Sequence, residues 1–372
     1  MEPVTRVLVV NTGSSSLKVA VIDDTDDVVA RAHVQDWDGH DTSPIHEVVS
    51  RAGGIDAIGH RIVHGGTDLR DPTPIDAATE AAIEALIPLA PLHQPSGLAG
   101  VRAARQACPD VPAIACFDTA FHATMPPAAT TYAVPTAWTT DLGIRRYGFH
   151  GLSHAWASRR AATIVARPPP SLKIVVAHLG AGASLCAVAG GRSVDTTMGF
   201  TPLEGLVMAT RSGTVDPGVI LWLQRDRGWS IDEIDDALQH RSGLLGLSGR
   251  SGDMREIIRR RAAGDPQAAL AFAVYVHRLR AGIAAMTASL GGLDVLVFTG
   301  GVGEHSAEVR SATAEGLGFL GVGIDEDANT REVSGDADAD ITAGPATRTL
   351  VIAAREDLEI ATEVRAVVRR PT

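Results

Sequence analysis

The sequence predicts an α/β protein with two related domains that face a common cleft. The main observation is that three glycine-containing segments each follow a short apolar run: Asn11 to Lys18, His178 to Gly182 and Thr299 to His305. The apolar runs have the length and β-branched content of buried strands. Because a strand followed by a glycine turn occurs in each half of the chain, we interpret the pattern as a diverged internal duplication.

The first segment is a predicted hairpin turn that holds phosphate. Gly13 allows a sharp turn, the amides of Ser14 to Ser16 can converge on an anion, and Lys18 adds a positive charge just after the turn. The spacing differs from that of a Walker loop, and a second strand rather than a helix comes next. The alternative interpretation is a serine-rich turn without function, because such turns are common.

The second and third segments lead into different predicted elements. His178 to Gly182 leads into another predicted strand, 184–189, whereas Thr299 to His305 leads into a helix-like run, 306–317. A Rossmann dinucleotide site is excluded for the third segment, because no further glycine follows Gly303 at the required spacing and no acidic ribose partner is evident. Nucleotide phosphates held between two domains fit the pattern better.

Length and charge agree with two soluble domains. The chain has 372 residues, which exceeds the ~250–300 residues at which single cores stop growing. Its formal net charge is −11, and its basic residues form no run longer than Arg259 to Arg261, so nucleic-acid binding is not expected. An anionic substrate must therefore be bound locally by a few arginine, lysine and histidine side chains.

Neither a signal peptide nor a membrane span is expected. The chain lacks a run of ~18 consecutive apolar residues, and its N-terminus lacks the charged and apolar regions of a leader. The three cysteines, Cys108, Cys116 and Cys186, have no metal-ligand spacing and are interpreted as core thiols. Free thiols are typical of a reducing compartment, so the cytoplasm is the expected location.

Three further segments have a predicted local structure. Pro168 to Pro170 is interpreted as a linker or rigid turn before a strand that begins at Lys173. The stretch 325–344 is rich in Asp, Ala and Gly and is predicted to be a loop. The stretch 357–370 has helical periodicity and is predicted to pack on one of the domains.

Four polar motifs carry the candidate chemistry: Gly59 to Gly66, Phe117 to His122, Tyr147 to Gly151 and Thr210 to Pro217. Arg61 in the first motif is interpreted as an oxyanion grip, because a guanidinium binds carboxylate or phosphate through a bidentate fork. The alternative interpretations are structural: polar residues at an exposed strand end, a buried histidine beside phenylalanine, and a solvated loop arginine.

Taken in order, the motifs resemble those of the acetate kinase family, whose members belong to the actin and sugar-kinase superfamily. The motifs that carry the resemblance are NTGSSSLK, GHRIVHGG, APLH, FDTAFH, RRYGFHG, HLGAGAS, MGFTPLEG, ATRSGTVDP, FTGGVGE and REDLEIA. Ten ordered motifs over nearly the whole chain are far more specific than one glycine loop. The stretch between Ile22 and Gly59 looks short relative to the family, so part of the first domain is trimmed.

The resemblance implies a duplicated two-domain α/β fold of the actin-like and sugar-kinase type, with an active-site cleft between the domains. The first domain is expected over residues 1–120 and the second over 121–357, with a C-terminal helix, 358–372, that could pack on the first. The second domain is implied to bind the nucleotide and to form a homodimer.

The reaction that the resemblance implies is reversible phosphoryl transfer between ATP and acetate, giving ADP and acetyl phosphate, with Mg²⁺ or Mn²⁺. His150 and Arg211 match the family's transition-state stabilisers, and Arg61 matches its grip on the carboxyl group or acyl phosphate. Asp118 matches the essential acidic residue. Acetate is ionised at neutral pH, much like a Glu side chain with a pKa of ~4.3. Asp118 is therefore expected to orient an arginine or a magnesium-bound water rather than to act as a base.

The remaining implied site residues bind metal, phosphate and nucleotide. Asn11 and Glu356 match the magnesium site, with Lys18 and Ser16 near the phosphates; oxygen ligands are what this hard cation prefers. The residues that match the nucleotide-contacting stretches are His178, Leu179, Gly180, Ala181, Gly182, Asp253, Met254, Arg255, Gly301, Val302, Gly303, Glu304 and His305.

The acyl pocket implied by the resemblance is small and apolar. Its residues are Val63, Leu92, Phe149 and Pro202. They leave room for a short chain, so acetate or propionate is the implied acid. His93 and His122 also lie at motif positions, where they are interpreted as supporting polar residues.

Four positions depart from the asparagine that the family usually has: Gln94, Ala181, His305 and Arg355. An amide lost from a phosphate loop removes a donor, and a buried contact of that kind contributes roughly 0.5–3 kcal/mol. An acyl kinase that uses another donor, such as pyrophosphate or another nucleotide, is therefore an open alternative.

A second alternative is a catalytically weakened relative that binds nucleotide as a regulator or as an actin-like ATPase module. Four residues favour the kinase over this alternative: Arg61, Asp118, His150 and Arg211. A module that only binds nucleotide would not need these residues, because it has no acyl group to bind.

Overall fold

The computed structural model describes residues 6–13, 16–331, 337–344 and 346–369. Ser14 and Ser15 of the predicted phosphate turn lie outside these residues. Part of the predicted loop 325–344 and the end of the predicted C-terminal helix also lie outside them.

The described residues form short strands and helices of very different length. The strands are β1 (Val7–Thr12), β2 (Ser16–Ile22), β3 (Val28–Gln35), β4 (Ala57–Ile62), β5 (Thr73–Pro74), β6 (Ala113–Phe117), β7 (Lys173–Leu179), β8 (Ala183–Ala189), β9 (Arg192–Thr196), β10 (Val295–Thr299), β11 (Ala339–Asp340) and β12 (Arg348–Val351). The α-helices are α1 (Ser43–Ala52), α2 (Ala77–Ala85), α3 (Gln94–Ala107), α4 (Pro127–Thr130), α5 (Thr136–Leu142), α6 (Gly151–Ile164), α7 (Pro217–Arg227), α8 (Ile231–His240), α9 (Gly243–Ser248), α10 (Met254–Ala262), α11 (Pro266–Leu290), α12 (Gly300–His305), α13 (Ala307–Glu315), α14 (Glu326–Thr330) and α15 (Glu356–Val368). Short 3₁₀ helices lie at Ile87–Leu89, Ala120–Thr124, Pro169–Ser171 and Gly318–Leu320.

The described chain divides into two compact units. The first comprises 1–123, 149–156 and 355–372, and the second comprises 124–148 and 157–354. The predicted domain division, 1–120 and 121–357, stays a prediction. The units differ from it chiefly by placing 149–156 in the first unit.

The first unit is built on a six-stranded sheet with the order β3-β2-β1-β4-β6-β5. Strands β1 to β3 form an antiparallel meander. Strands β1, β4 and β6 are parallel to one another, and β5 is antiparallel to β6. Alternate residues of β1 face opposite sides, as the period of a strand requires. Val7 and Val9 pack with α15, and Leu8 and Val10 pack with α1 and α3.

The sheet of the second unit has the same topology as that of the first. Its order is β11-β12-β10-β7-β8-β9. Strands β7 to β9 form the antiparallel meander. Strands β7, β10 and β12 are parallel to one another, and β11 is antiparallel to β12. The predicted internal duplication is therefore confirmed strand by strand.

Two of the three predicted glycine turns join strands of a hairpin. In the β1–β2 turn the Gly13 N–H donates to the Ser16 carbonyl at 2.8 Å, and in the β7–β8 turn the Gly180 N–H donates to the Gly182 carbonyl at 2.9 Å. The third prediction is wrong, because α12 begins directly after β10. Gly300 has a φ of +76°, a left-handed conformation that glycine adopts at little cost and that lets the chain pass from strand to helix.

Two other predictions concern the C-terminal part of the chain. The stretch 325–344 is not a loop throughout, since it contains α14 and β11. The side chain of Asp325 starts α14 by accepting a hydrogen bond from the Ala328 N–H at 2.9 Å. The predicted helix 357–370 is confirmed as α15 over the residues that the structure describes.

Gly59 in β4 allows α15 to lie close to the first sheet. A Cβ at this position would overlap the Ile360 side chain and would lie 2.7 Å from Cγ2 of Val364. The close approach fixes α15 against β4 and so places its first residue, Glu356, near the carboxyl end of that strand.

The helix α11 is long and apolar enough to cross a membrane by length and composition alone. Its buried residues include Phe272, Leu279 and Ile283. The helix packs on α9, α10, β7 and β8 of the second unit. We therefore interpret it as a core helix of that unit.

His60 is a buried histidine in β4 whose ring nitrogens have no hydrogen-bond partner among the described residues. Burial lowers the pKa of His60 to about 3. The imidazole is therefore neutral in the folded protein at every pH at which the protein is expected to work.

We expect His60 to destabilise the protein in acid. The unfolded chain binds a proton at His60 near the ordinary pKa of 6.5, whereas the folded protein binds it only near a pKa of about 3. The free energy of unfolding should therefore fall as the pH drops through this window, by up to about 1.4 kcal/mol per pH unit from His60. Urea unfolding at about pH 7.5 and about pH 5 should show a smaller loss in His60→Leu than in wild type. An equal loss in both proteins would contradict this assignment.

Candidate active site

Arg61 and Asp118 form an ion pair at the carboxyl edge of the first sheet. Arg61 lies in β4 and Asp118 directly follows β6, the parallel neighbour of β4, so their side chains meet at the same edge. Nη2 of Arg61 lies 2.6 Å from Oδ2 of Asp118, and Nε lies 3.1 Å from the same oxygen. The Asp118 side chain is only 1% exposed, so the carboxylate depends on Arg61 for its charge partner.

Asn11 and Glu356 complete a cluster around this ion pair. Nη1 of Arg61 donates to Oδ1 of Asn11 at 3.3 Å, and Nδ2 of Asn11 donates to Oε2 of Glu356 at 3.2 Å. Oε2 of Glu356 lies 3.9 Å from Nε of Arg61. We call Asn11, Arg61, Asp118 and Glu356 the Arg61 cluster. The structure thus brings together four predicted site residues that are far apart in the sequence.

The Arg61 cluster holds one guanidinium and two carboxyl groups. Burial by itself would lower the pKa of Arg61, but Asp118 and Glu356 raise it above its usual value, so Arg61 stays charged. Burial raises the pKa of Asp118, and Arg61 opposes that shift. Because Arg61 donates hydrogen bonds to it through both Nε and Nη2, we treat Asp118 as a carboxylate that orients the guanidinium.

Two residues of the Arg61 cluster, Asn11 and Glu356, carry oxygen groups of the kind that bind magnesium. In the part of the chain that the structure describes, no group of three or more His, Cys, Asp or Glu side chains could hold a metal ion. The cluster offers the amide oxygen of Asn11 and the carboxylate of Glu356. Mg²⁺ is typically held by one or two such oxygen groups together with substrate phosphates and water.

Arg355 forms an ion pair with Asp357, two residues further along the chain. Its Nε lies 2.9 Å from Oδ1 of Asp357, and its Nη2 lies 2.9 Å from Oδ2 of the same carboxylate. The cation that replaces the family's usual asparagine is thus paired within the first turn of α15, next to the Arg61 cluster.

Val63 and Phe149 of the predicted acyl pocket belong to the first unit. Val63 directly follows β4, and Phe149 is 1% exposed. Leu92 lies in the same unit but is 47% exposed, and Pro202 belongs to the second unit.

The side chains of His64 and Gln94 support the pocket residues in a way that the sequence did not indicate. The His64 ring meets the Phe149 ring edge-on at 5.5 Å between centroids. Gln94 is buried, donates to the His64 carbonyl at 2.9 Å and accepts from the His64 N–H at 3.2 Å. A glutamine that replaces the usual asparagine therefore holds the backbone next to Val63. Only the unusual residue type at position 94 gave a signal in the sequence.

Arg211 in the second unit has a different environment from Arg61. Its Nη1 donates to the Pro202 carbonyl at 2.7 Å. Among the residues that the structure describes, no carboxylate forms an ion pair with it. Burial lowers the pKa of Arg211 below its usual value. A half-buried guanidinium without an anionic partner is costly, and it is a suitable site for an anionic substrate group.

Two of the predicted nucleotide-contacting stretches meet at the carboxyl edge of the second sheet. The stretch His178 to Gly182 ends β7 and forms the turn after it, and Gly301 to His305 lies in α12 after β10. β7 and β10 are parallel neighbours, with His178 opposite Thr299. The glycines let the two segments approach closely, because a Cβ at Gly300 would lie only 2.9 Å from the Leu179 carbonyl oxygen.

Ala209 connects the loop that carries Arg211 to the β7–β8 turn. The Ala209 N–H donates to the Ala181 carbonyl at 3.0 Å. Gly252 directly precedes the predicted nucleotide-contacting stretch that begins at Asp253. It packs on the Ala209 carbonyl, and a Cβ at this position would lie 2.6 Å from the carbonyl oxygen. Asp253 then caps α10 by accepting from the Arg255 N–H at 2.9 Å. These contacts hold the predicted nucleotide-contacting residues and Arg211 in one local framework.

Two further predicted site residues, Lys18 and His150, also belong to the first unit. Lys18 is exposed in β2, opposite Asn11 of β1. His150 directly precedes α6 and has a φ of +56°. Both lie in the first unit, together with the Arg61 cluster.

Comparison with known proteins identifies the family of this chain. The sequence profile of the Acetokinase family matches residues 39–362. An acetate kinase of Synechococcus sp. (strain JA-2-3B'a(2-13)) is 52% identical over 316 residues, which cover 85% of this chain and 77% of that protein.

Two solved structures show the same fold. The crystal structure of Porphyromonas gingivalis acetate kinase matches 98% of this chain and 100% of that chain, with a TM-score of 0.90 at 34% identity. The crystal structure of a propionate kinase from Francisella tularensis matches 97% of this chain and 99% of that chain, with a TM-score of 0.88 at 37% identity. The two-domain α/β fold predicted from the resemblance is confirmed by these matches, and the chain belongs to the acetokinase family.

Proposed function

We propose that this protein is an acetate kinase, which transfers a phosphoryl group reversibly between ATP and acetate and gives ADP and acetyl phosphate. The observation that carries the proposal is the contrast between two arginines. Arg61 is oriented by a carboxylate within the Arg61 cluster, and Arg211 has no carboxylate partner among the described residues. Phosphoryl transfer needs positioned cations rather than covalent chemistry, because negative charge spreads over the transferring group.

Arg61 binds the carboxyl group of acetate or the acyl phosphate. Asp118 fixes the guanidinium plane through Nε and Nη2, and a fixed guanidinium is suited to bidentate recognition of a carboxylate. Acetate is already ionised at neutral pH, so this step requires no general base. The proposed role of Asp118 is therefore to orient Arg61.

Arg211 and His150 stabilise the negative charge on the transferring phosphoryl group. The Pro202 carbonyl holds the Arg211 side chain without neutralising it. Its full positive charge is thereby available to the substrate, and a preorganised cation of this kind lowers the barrier without reorganisation during the reaction. The His150 imidazole adds a hydrogen-bond donor to the same group.

Asn11 and Glu356 would hold the magnesium ion, and manganese could replace it. A bound divalent cation neutralises phosphate charge during transfer. Asn11 in β1 contributes an amide oxygen, and Glu356 at the N-terminus of α15 contributes a carboxylate. Lys18 and Ser16 contact the phosphates in this proposal.

The donor is proposed to be ATP, held by the stretches around His178, Asp253 and Gly301. Ala181 lacks the side-chain amide usual at its position, although its carbonyl is used by Ala209. His305 likewise replaces an amide by an imidazole. Because of these two positions, a phosphoryl donor other than ATP remains the alternative.

A hydroxamate assay tests the function and the donor together. Hydroxylamine traps acetyl phosphate formed from acetate, magnesium and one donor at a time: ATP, GTP or pyrophosphate. Product with ATP supports the proposal, and product with pyrophosphate alone supports the other-donor kinase. No product from any donor, under conditions in which a family enzyme is active, would leave the nucleotide-binding regulator. The same assay with propionate in place of acetate gives the acid preference.

We also propose that the protein forms a cytoplasmic homodimer through the second unit. The helix α7 has no buried residues, and it exposes Val219, Leu221 and Trp222 by 44%, 59% and 44%. Ile231 at the start of α8 is 70% exposed. A group of exposed large apolar side chains is typical of an interface between protein chains.

Removing the guanidinium of Arg61 or of Arg211 should lower kcat by roughly 10²–10³-fold, because each loss removes a preorganised charge from the reacting groups. Turnover of Arg61→Ala and Arg211→Ala is measured with saturating ATP and acetate. Arg102→Ala is the matched control, since Arg102 pairs with Glu80 on the surface of the first unit and is 53% exposed. Circular dichroism checks that each variant is folded. Activity above about a tenth of wild type, a loss of only ~1.4 kcal/mol, would contradict the role assigned to that arginine.

Glu356→Ala should raise the magnesium concentration needed for half-maximal rate by at least about tenfold, because the metal loses its carboxylate ligand. The KM for acetate should change little. The measurement is a magnesium titration at fixed ATP, followed by an acetate titration at saturating magnesium. Glu84→Ala is the control, because Glu84 is an exposed carboxylate of the same unit. Equal weakening of magnesium and acetate would show that Glu356 does not act through the metal.

Trp222→Glu should convert the dimer to a monomer, because burying a charge in an apolar interface is unfavourable. Trp138→Glu is the matched control, since Trp138 is 48% exposed on α5 of the same unit. Sedimentation velocity of wild type and both variants gives the mass. A monomeric wild type would refute the dimer, and a dimeric Trp222→Glu would move the interface away from α7.

A further inference from the structure

His150 adopts a backbone conformation that is uncommon for a residue with a side chain. Its φ of +56° lies in the left-handed region, where Cβ comes close to the following backbone. Such residues persist only where the surrounding structure holds them, and they cluster at functional sites. The His150 carbonyl accepts from the His154 N–H at 2.9 Å, and further contacts that hold this conformation are made by its two neighbours in the chain, Phe149 and Gly151.

The segment Asp118–His122 makes one hydrogen bond to each neighbour of His150. The Gly151 N–H donates to the Asp118 carbonyl at 2.8 Å. Nε2 of His122 lies 3.0 Å from the Phe149 carbonyl oxygen. A carbonyl oxygen only accepts, so Nε2 carries the hydrogen and donates it. These bonds fix the peptide groups on both sides of His150, which define its φ and ψ.

The surroundings keep both bonds in place. His122 is 1% exposed, and its ring meets the ring of His154 edge-on at 5.6 Å between centroids. Burial lowers the pKa of His122 to about 4, so the ring is neutral at neutral pH. At Gly151 a Cβ would overlap the Asp118 carbonyl oxygen, so only glycine allows this close approach.

We propose that His122 is a positioning residue, which aims the catalytic imidazole of His150 by holding the Phe149 carbonyl. This role depends on the one proposed above for His150. His122 acts through the backbone and not on substrate. Because Phe149 also lines the proposed acyl pocket, the same hydrogen bond fixes a residue of the acetate site and a residue of the phosphoryl site. The alternative is a structural histidine that only fills the core.

The test compares variants that remove the donor with one that keeps it. His122→Leu should lower kcat by at least about tenfold and raise the KM for acetate, with the KM for ATP changed by less than about twofold. His122→Gln should restore kcat to within about threefold of wild type, because its amide can donate to the Phe149 carbonyl. If His122→Leu does not fold, His122→Met takes its place as a flexible side chain without a donor.

His60→Leu is the matched control, because His60 is equally buried in the same unit and neither of its ring nitrogens has a partner among the described residues. Its kcat should stay within about twofold of wild type. A purely structural role would make His122→Gln as inactive as His122→Leu. It would also predict that both variants lose activity in proportion to their loss of folded protein.

Crystal structures of wild type, His122→Leu and His122→Gln provide a readout that does not depend on catalysis. Residue 150 should leave the left-handed region in His122→Leu and stay there in His122→Gln. If wild type makes no acetyl phosphate, the proposed function fails, whereas these structures still report on positioning. The inference is overturned if residue 150 keeps its positive φ in His122→Leu, or if His122→Leu retains kcat within about twofold of wild type.

Discussion

A buried carboxylate and a guanidinium, those of Asp118 and Arg61, hold each other at the end of two parallel strands. The pair requires both partners, since removing one would leave an uncompensated buried charge at a cost of about 3–5 kcal/mol. Asn11 and Glu356 are attached to the pair through hydrogen bonds and a longer ionic contact. The backbone of Asp118 also binds Gly151. The position of each of these residues in the first unit is therefore tied to one ion pair.

The sequence predicted the parts of the fold that depend on local pattern. Apolar runs around Gly13 and Gly180 gave the two hairpins, and their recurrence gave the duplication. The two-residue strands β5 and β11 are too short for any pattern to be visible. The segment after β10 was predicted to be a turn because of its glycines. There a single left-handed residue, Gly300, starts a helix instead.

The candidate site residues were identified one by one from the sequence, but which arginine Asp118 contacts and what holds the other residues were not. Arg61 and Asp118 were each identified from their motifs, yet nothing in their spacing shows that they bind each other. Arg355 was noted as a departure from the family's usual asparagine, and the structure pairs it with the carboxylate of Asp357. Gln94 was noted in the same way, and it holds the His64 backbone. Hydrogen bonds to backbone atoms leave no signature in residue types, so the role of Gln94 could be seen only in the structure.

The shared topology of the two sheets means that equivalent edges carry different recognition chemistry. In the first unit the carboxyl edge presents charged side chains around Arg61, whereas in the second it presents glycine-rich backbone around Gly180 and Gly301. After duplication, one edge of the shared fold thus came to present side chains and the equivalent edge came to present backbone. Because the proposed acid-binding arginine lies at one edge and two of the proposed nucleotide-contacting stretches lie at the other, a mutation in one copy need not disturb the equivalent edge of the other copy.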